Sequence, residues 1–508
     1  MPPTRSSKIL FLVIFLAALA LLAGAALQKS FWEDEAFTAR IAQSDLDEVL
    51  EATARDVHPP LYLLLVSQWG ALFGYQELGL RSLSILFALL ALFLAYRLAA
   101  ETAGPRAGLF SLAILAFSPL FVMYAHNARY YSMTAAFSLL VVYAAYRYQV
   151  TRRRPYQLVY VFSGTLLLYL LFAAVGVLLA CNLWWLVSWW RERSRSGIIA
   201  WFLAQVAIML LYLPGYRIFA TLLEKGGGFP STLVDWLLEI FKRMAYLGFV
   251  FGVGETYSPL NPLAWLGLVL VAALAVIALL QGARKAGLWL ALVVLLVVAI
   301  TNVVISLDSA VATTWQNISY RAFYALPFLA IILGIGLSML RPRPGLAVSA
   351  LLLVVYAAGI GNYFSNRQFI RPIYAVPWRQ IFTQIRAQAP KDAAVVCNRS
   401  DYACTYYAGR FGFERQVPSD WESLAAKRPS ELWWLNSNLG LSRYDEDPEL
   451  KILKQIRSSY AHFEVYNYGQ QAASIRWIKS ELLGQQDYEY RLNVYQFKNF
   501  LASGQAIP

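Results

Sequence analysis

Three consecutive carboxylates, Glu33, Asp34 and Glu35, stand in the stretch FWEDEAFTARI, between one apolar run and the next. Acid in that position has a plain use and a chemical one. It solvates the chain and suits the start of a helix expected to run AFTARIAQSDLDEVL, where negative side chains are favoured. Beside Trp32 and Phe37 at a membrane surface, a partly desolvated carboxylate also becomes a stronger base. It could then take a proton from a hydroxyl held at the interface. Asp34 is the first choice for that base and Glu35 the second, with Glu33 expected to be merely solvated. Fixed cations accompany them at the ends of later apolar runs: Arg81 in LGLRSLSILF, Arg129 followed by Tyr130 in SPLFVMYAHNARYYSM, and Arg321 in NISYRAFYALP. His58 precedes the paired prolines of DVHPPL, a helix-start device that pre-sets backbone angles. Taken singly, each arginine reads as a snorkelling side chain in an aromatic belt. Taken together, they suit a lipid phosphate, because guanidinium forks hold phosphate oxygens in pairs. If a sugar leaves such a phosphate, the same cations stabilise the developing charge and no separate general acid is needed.

The elements that must position these residues are membrane spans. Of 508 residues, 59% are hydrophobic and only 14% charged, against about 25% charged in a soluble domain. The chain is expected to be a polytopic α-helical membrane protein. Its net charge of +13 comes from short Lys/Arg clusters between apolar runs, which is topology signalling and not a nucleic-acid surface. A span needs about 20 mostly apolar residues. Eleven transmembrane helices are expected near 9–27, 78–99, 107–124, 132–150, 157–171, 173–190, 199–214, 262–281, 287–305, 322–340 and 345–361. The first is a retained anchor in preference to a signal peptide, since no clear small-residue cleavage site follows it.

HPPLYLLLVSQWGALFG decides the topology. From Pro59 to Gly74 a helix would extend only about 24 Å, short of a hydrocarbon core of roughly 30 Å. Kept on the outer surface, it leaves Arg5/Lys8, Arg97/Arg106, Arg152–Arg154, Arg191–Arg195, Arg284/Lys285 and Arg341/Arg343 on one side, which is then the cytoplasm. The N-terminus is therefore expected in the cytoplasm of an inner (plasma) membrane and the C-terminus outside. The expected division is a transmembrane module, 1–361, with an external loop at 28–77, and an external soluble α/β domain, 362–508. In that domain AAVVC and ELWWL read as strands, while IFTQIRAQA and DPELKILKQI read as helices. Within the long loop 215–261, GGGF reads as a turn and 233–251 as a helix in or near the interface.

Acid placement narrows the function classes. Nine of the 30 acidic residues lie between 28 and 77, 14 lie after residue 361, and none is inside an expected span. A proton pump or ion-coupled transporter needs carboxylates at mid-membrane depth. A base near the membrane must come mainly from the first external loop. The three histidines are too scattered for a metal motif, so neither a metal nor another cofactor is expected; Glu33, Asp34 and Asp56 would hold an ion only if the fold gathers them. Cys397 and Cys404 allow at most one disulfide.

FWEDEAFTARIA, RDVHPPLYLLLVSQWGALFG, ELGLRSLSILFALLALFLAYRLA and SPLFVMYAHNARYYSM, in this order, resemble the protein O-mannosyltransferase-like family of membrane glycosyltransferases, which has the type-C fold. The resemblance runs over residues 28 to about 150 and on towards Arg321; it has no motif in the C-terminal domain. It implies transfer of a sugar from a polyprenyl phosphate to a hydroxyl acceptor on the external face, with inversion. It further implies Asp34 as general base, with Glu35 supporting it. His58 would lie near the acceptor or the donor phosphate, and Arg81, Arg129 and Arg321 would make phosphate contacts. One departure stands out: His126-Asn127-Ala128-Arg129 replaces a frequent Gln-Glu-Ala-Arg, which removes an acid from that turn. The rival readings are a lipid-linked glycan transporter or flippase, which binds the same lipid without cleaving it, and an assembly subunit. No residue pattern names the sugar or the acceptor.

Overall fold

The computed structural model describes residues 5–55, 59–192, 195–216, 220, 232–307, 317–367, 370, 376–398, 401–416, 429–437, 453, 456–457, 462–468 and 492–498. His58, Asp56, the GGGF turn and most of DPELKILKQI lie outside the described residues. The chain forms two compact units. One comprises residues 1–28 and 41–365, the other 29–40 and 366–508.

The first unit is helical. Its helices are α1 (Arg5–Gln28), the end of α2 (Glu33–Ile41), α3 (Leu46–Arg55), α4 (Leu61–Phe73), α5 (Glu77–Ala103), α6 (Pro105–Phe117), α7 (Pro119–Tyr124) and α8 (Tyr131–Thr151). They continue with α9 (Arg154–Leu168), α10 (Val175–Glu192), α11 (Arg195–Tyr212), α12 (Leu233–Val253), α13 (Pro262–Gln281), α14 (Ala286–Ser306), α15 (Ile318–Arg321), α16 (Leu326–Met339) and α17 (Pro342–Phe364). Each of the eleven stretches expected to span overlaps at least one helix. Among the described residues, seven helices are long and apolar enough to cross a membrane, and Leu61–Phe73, Pro105–Phe117 and Phe323–Met339 are shorter apolar helices. Large apolar side chains stay exposed along these helices, Leu12, Phe162, Leu280 and Leu346 among them, as lipid-facing surface requires.

Two local expectations are corrected. The stretch 107–124 is not one helix, because Ser118 is extended (φ −60°, ψ 125°) and Pro119 starts a new one. Proline has no N–H to continue the ladder and drives the residue before it out of the α region. AFTARIAQSDLDEVL is likewise two helices, α2 and α3, restarted where the Asp45 carboxylate accepts the Glu48 amide at 2.8 Å. That is N-capping by a residue type suited to it. Close packing in this unit uses small residues. Helix α16 lies against α6 so tightly that a Cβ on Gly334 would come within 2.6 Å of the Ser111 amide.

The second unit contains the segment 29–40, α18 (Trp378–Gln388), α19 (Tyr402–Arg410) and a five-stranded sheet in the order β2-β1-β3-β5-β4. Its strands are β1 (Ala394–Cys397), β2 (Arg415–Gln416), β3 (Glu431–Ser437), β4 (His462–Tyr468) and β5 (Leu492–Lys498). Strand β1 is parallel to both β2 and β3, while β5 is antiparallel to β3 and β4. Val396, Leu432, Trp434, Leu453, Ile456, Tyr495 and Phe497 form a buried cluster on the sheet. The expected strands AAVVC and ELWWL and the helix IFTQIRAQA are present. Lys29–Arg40 groups with the C-terminal unit and not with the helices on either side of it in sequence, and the later part of that unit begins at Asn366.

Candidate functional site

The carboxylate segment is fastened within the second unit by its own aromatic and polar side chains. The Phe31 amide donates to the Tyr407 hydroxyl at 2.8 Å, and the Arg379 amide donates to Ser30 Oγ at 3.0 Å. The Phe31 ring lies 5.2 Å from Tyr406, the Phe37 ring 5.3 Å from Tyr402, and the Arg40 guanidinium 6.0 Å over the Tyr402 ring. Lys29 bonds the Asn366 side chain. Helix α19 is thus the rail along which the segment is laid. The N-terminus of that helix offers unsatisfied amides and positive partial charge. Asp401 caps it, accepting the Cys404 amide at 2.8 Å, and a Cys397–Cys404 disulfide with Cα atoms 5.8 Å apart joins its first turn to the end of β1.

The three acids of the segment part company here. Glu33 is buried and accepts the amides of Tyr402 and, at 3.2 Å, Ala403. The expectation that Glu33 is merely solvated is therefore corrected: its carboxyl group completes the α19 terminus. Burial pushes its pKa well above the usual carboxylate range, and the neighbouring Asp401 raises it further, with the two amides opposing. Two carboxyl groups at one helix end share a proton because ionising both in a buried place is costly. Glu35 is fully buried and its Oε2 lies 3.4 Å from the Trp32 amide. Asp34 alone of the three is half-buried, with its carbonyl accepting the Thr38 hydroxyl at 2.9 Å.

In the first unit the break at Pro119 makes α7 a helix of 6 residues ending at Tyr124. The turn that follows is tied down at each step. The Arg129 amide reaches the Asn127 carbonyl at 2.6 Å, and the Ser132 hydroxyl reaches the Ala125 carbonyl at 2.5 Å. His126 is fully buried, with Nδ1 2.9 Å from the Val122 carbonyl. A carbonyl only accepts, so Nδ1 carries the proton and Nε2 accepts from the Tyr363 hydroxyl at 3.2 Å. The Arg129 guanidinium stands 5.6 Å over the Tyr130 ring, and Tyr130 lies 4.9 Å from Tyr131. Tyr131 is 5.5 Å from Tyr320, the residue before the half-buried Arg321. The Arg129–Tyr130 and Arg321 segments, 191 residues apart, thus meet through one group of rings to which Tyr124 and Phe323 also belong.

Arg81 is buried at 1% exposure, and its Nη1 donates to the Ala26 carbonyl at 3.0 Å, in the last turn of α1. A cation on those terminal carbonyls is a helix cap. One turn further along α5, the Ser84 hydroxyl lies 3.4 Å from the Arg129 carbonyl and 3.2 Å from the Tyr62 hydroxyl. Arg81 therefore stands on the helix that supports the Arg129 turn.

Sequence reasoning passed over one acid. Glu255, at 1% exposure, accepts the Tyr124 hydroxyl at 2.8 Å and the Tyr246 hydroxyl at 3.0 Å. Its turn is pinned from both sides. Gly254 ends α12 at φ +88°, and a Cβ there would come within 2.8 Å of the Pro119 Cβ. Thr256 donates to the Gly359 carbonyl at 3.0 Å, and the Tyr257 hydroxyl to the Val355 carbonyl at 2.5 Å. The available signal was a lone acid after a glycine helix stop, GETYSP, in a loop otherwise read for its helix. Among the described residues no three His, Cys, Asp or Glu side chains gather as a metal-ligand group.

Residues 57–216 match the family described as dolichyl-phosphate-mannose-protein mannosyltransferase. No curated protein matches the chain in sequence. Among solved structures, ArnT from Cupriavidus metallidurans bound to undecaprenyl phosphate is 13% identical, with 95% of this chain and 97% of that one covered at a TM-score of 0.53. Its apo state, also 13% identical, covers 97% and 98% with a TM-score of 0.56. At that identity the likeness establishes the fold. The four sequence blocks and the matched family region agree with the full-length likeness to ArnT: residues 57–216 resemble the mannosyltransferase family, and the chain as a whole has the type-C glycosyltransferase fold.

Proposed function

We propose that the protein transfers a sugar from a polyprenyl-phosphate donor to a hydroxyl acceptor, with inversion, at the external face of an inner membrane. Asp34 is the general base. It takes the acceptor's O–H proton as that oxygen attacks the anomeric carbon from the side opposite the phosphate. The bond from carbon to phosphate oxygen breaks, and its electron pair leaves on the lipid phosphate. Arg129 and Arg321 hold that phosphate and stabilise its growing charge, Arg81 caps α1 from the helix whose Ser84 reaches the Arg129 carbonyl, and Tyr130 orients the Arg129 guanidinium. Glu35 supports the Asp34 segment, and His58 lies on the acceptor or donor side.

The observation that carries the choice of base is exposure: of the three neighbouring carboxylates, Glu33 and Glu35 are buried and Asp34 is the one that solvent and a substrate can reach. A lipid-phosphate donor is supported by the undecaprenyl phosphate bound in the ArnT structure that shares this fold. The external placement of the C-terminal unit is supported by the Cys397–Cys404 disulfide, since disulfides persist in oxidising compartments, and by the arginine clusters on the opposite side of the spans.

The test is turnover of a radiolabelled polyprenyl-phosphate hexose by the purified chain. Release of lipid phosphate together with labelled product supports transfer, whereas movement of intact lipid across the membrane supports transport. Asp34→Asn is expected to lower transfer by about 10²–10⁴-fold, the usual share of a general base, while still retaining the donor. Wild-type turnover in that variant removes the assignment.

A further inference from the structure

A groove opens at the opposite end of α8 from the ring cluster. Helix α8 has 21 residues and so rises about 31 Å, the thickness of a hydrocarbon core. The groove lies between the last turn of α8, the last turns of α10 and the first turns of α11. Trp185, Trp189 and Trp201 supply its apolar wall, with Gln149 and Arg152 at its edge. The wall is rigid. The Trp185 ring is stacked between Tyr148 at 5.3 Å and Tyr160 at 6.3 Å, and Trp201 Nε1 donates to Asn182 at 3.0 Å. Trp185 is itself more than nine-tenths buried, and its indole N–H has no acceptor among the described residues.

Charge selects the occupant. Arg152 lines the edge of the groove, Arg153 and Arg154 follow it in sequence and are exposed, and no acidic side chain is among the described residues that line the groove. Arg152 also holds a left-handed backbone at φ 54°, a conformation that glycine or asparagine adopts at lower cost. An apolar slot facing lipid, tryptophans at the interface and a cluster of cations at one end match a phosphate headgroup with an acyl tail.

We propose that this groove is a binding site for one anionic phospholipid of the leaflet opposite the ring cluster, with its phosphate at Arg152–Arg154 and an acyl chain against Trp185, Trp189 and Trp201. The site does not depend on the sugar-transfer reading, because it shares no residue with it.

The experiment is native mass spectrometry of the full-length protein released from micelles that contain phosphatidylglycerol or phosphatidylcholine with the same acyl chains. Wild type retains one phosphatidylglycerol in preference to phosphatidylcholine. Replacing the arginines by glutamine lowers that retention by about fivefold per arginine, the factor that roughly 1 kcal/mol gives. Trp189→Ala, which keeps every arginine, also lowers it, and Ile198→Trp, which fills the slot, abolishes it. Equal retention of the two lipids overturns the proposal. So does wild-type retention in both Trp189→Ala and Ile198→Trp, which means surface charge alone. Displacement of phosphatidylglycerol by polyprenyl phosphate, or by millimolar inorganic phosphate, overturns it too, by assigning the groove to another ligand.

Discussion

The two units each bury a glutamate that composition would place in water, and they satisfy it differently. Glu255 in the helical unit meets two tyrosine hydroxyls, each held by rings and helices that fix its direction. Glu33 in the C-terminal unit meets two helix amides and a second carboxyl group, Asp401, and so shares a proton. The first arrangement is built to hold shape: it sets the Tyr124 ring against Tyr131 and Tyr320, and through them the Arg129 and Arg321 turns. The second is built to respond to protons, and it anchors the segment that carries Asp34.

If that contrast is right, the largest effect comes from removing the carboxyl group in the rigid arrangement. Glu255→Leu strands two buried hydroxyls at about 1–3 kcal/mol each and should lower the thermal midpoint of the detergent-solubilised protein more than any other change considered. Glu255→Gln, which still accepts a hydrogen bond, should recover much of the loss. Should Glu255→Leu unfold no earlier than wild type, the ring cluster does not depend on the acid.

Arg129→Ala should weaken retention of polyprenyl phosphate by roughly 1.5–3 kcal/mol, the value of a charge-assisted hydrogen bond, with the thermal midpoint little changed. Unaltered lipid retention would separate the ring cluster from phosphate binding. Gly254→Ala forces a positive φ on a residue with a Cβ and presses that Cβ on Pro119, at a cost of about 1–3 kcal/mol. Its effect should be partial unfolding at lower temperature without any new dependence on pH.

The smallest expected effect is the most specific. The folded pKa of Glu33 is raised, so its contribution to stability is complete below the ordinary glutamate range and is lost as pH rises towards the folded value. Melting of the intact protein should therefore show a downward slope with pH in that window. Glu33→Gln keeps an acceptor for the α19 amides and should flatten the slope, while Glu255→Gln leaves it in place. A slope that survives Glu33→Gln would assign the shared proton elsewhere and end the contrast between the two glutamates.

Much of this was legible in the sequence because it depends on local pattern. Apolar run length marked the helices, alternation marked AAVVC and ELWWL, and the order of the DE, HPP, LGLR and NARYY blocks marked a family resemblance. Other features were not legible, since they depend on residues remote in the chain. Nothing in SPLFVMY says that Tyr124 will find Glu255, 131 residues away, and nothing in EDE says that Glu33 will complete a helix end more than 360 residues later. Asp34 was preferred for its neighbours Trp32 and Phe37; the tertiary structure adds a separate reason, the burial of the acids on either side of it.

The sequence by itself determined a membrane protein with an acidic segment after its first apolar run, a set of arginines at the ends of later apolar runs and a mixed C-terminal unit, because hydropathy, charge and short-range periodicity are properties of neighbouring residues. Only the tertiary structure decided that Lys29–Arg40 is laid along α19, and that the Arg129 and Arg321 turns share one group of rings. It alone decided, too, which carboxylates are spent on holding the fold. Those outcomes depend on which buried donors and acceptors meet across long chain separations, and no local signal encodes that pairing.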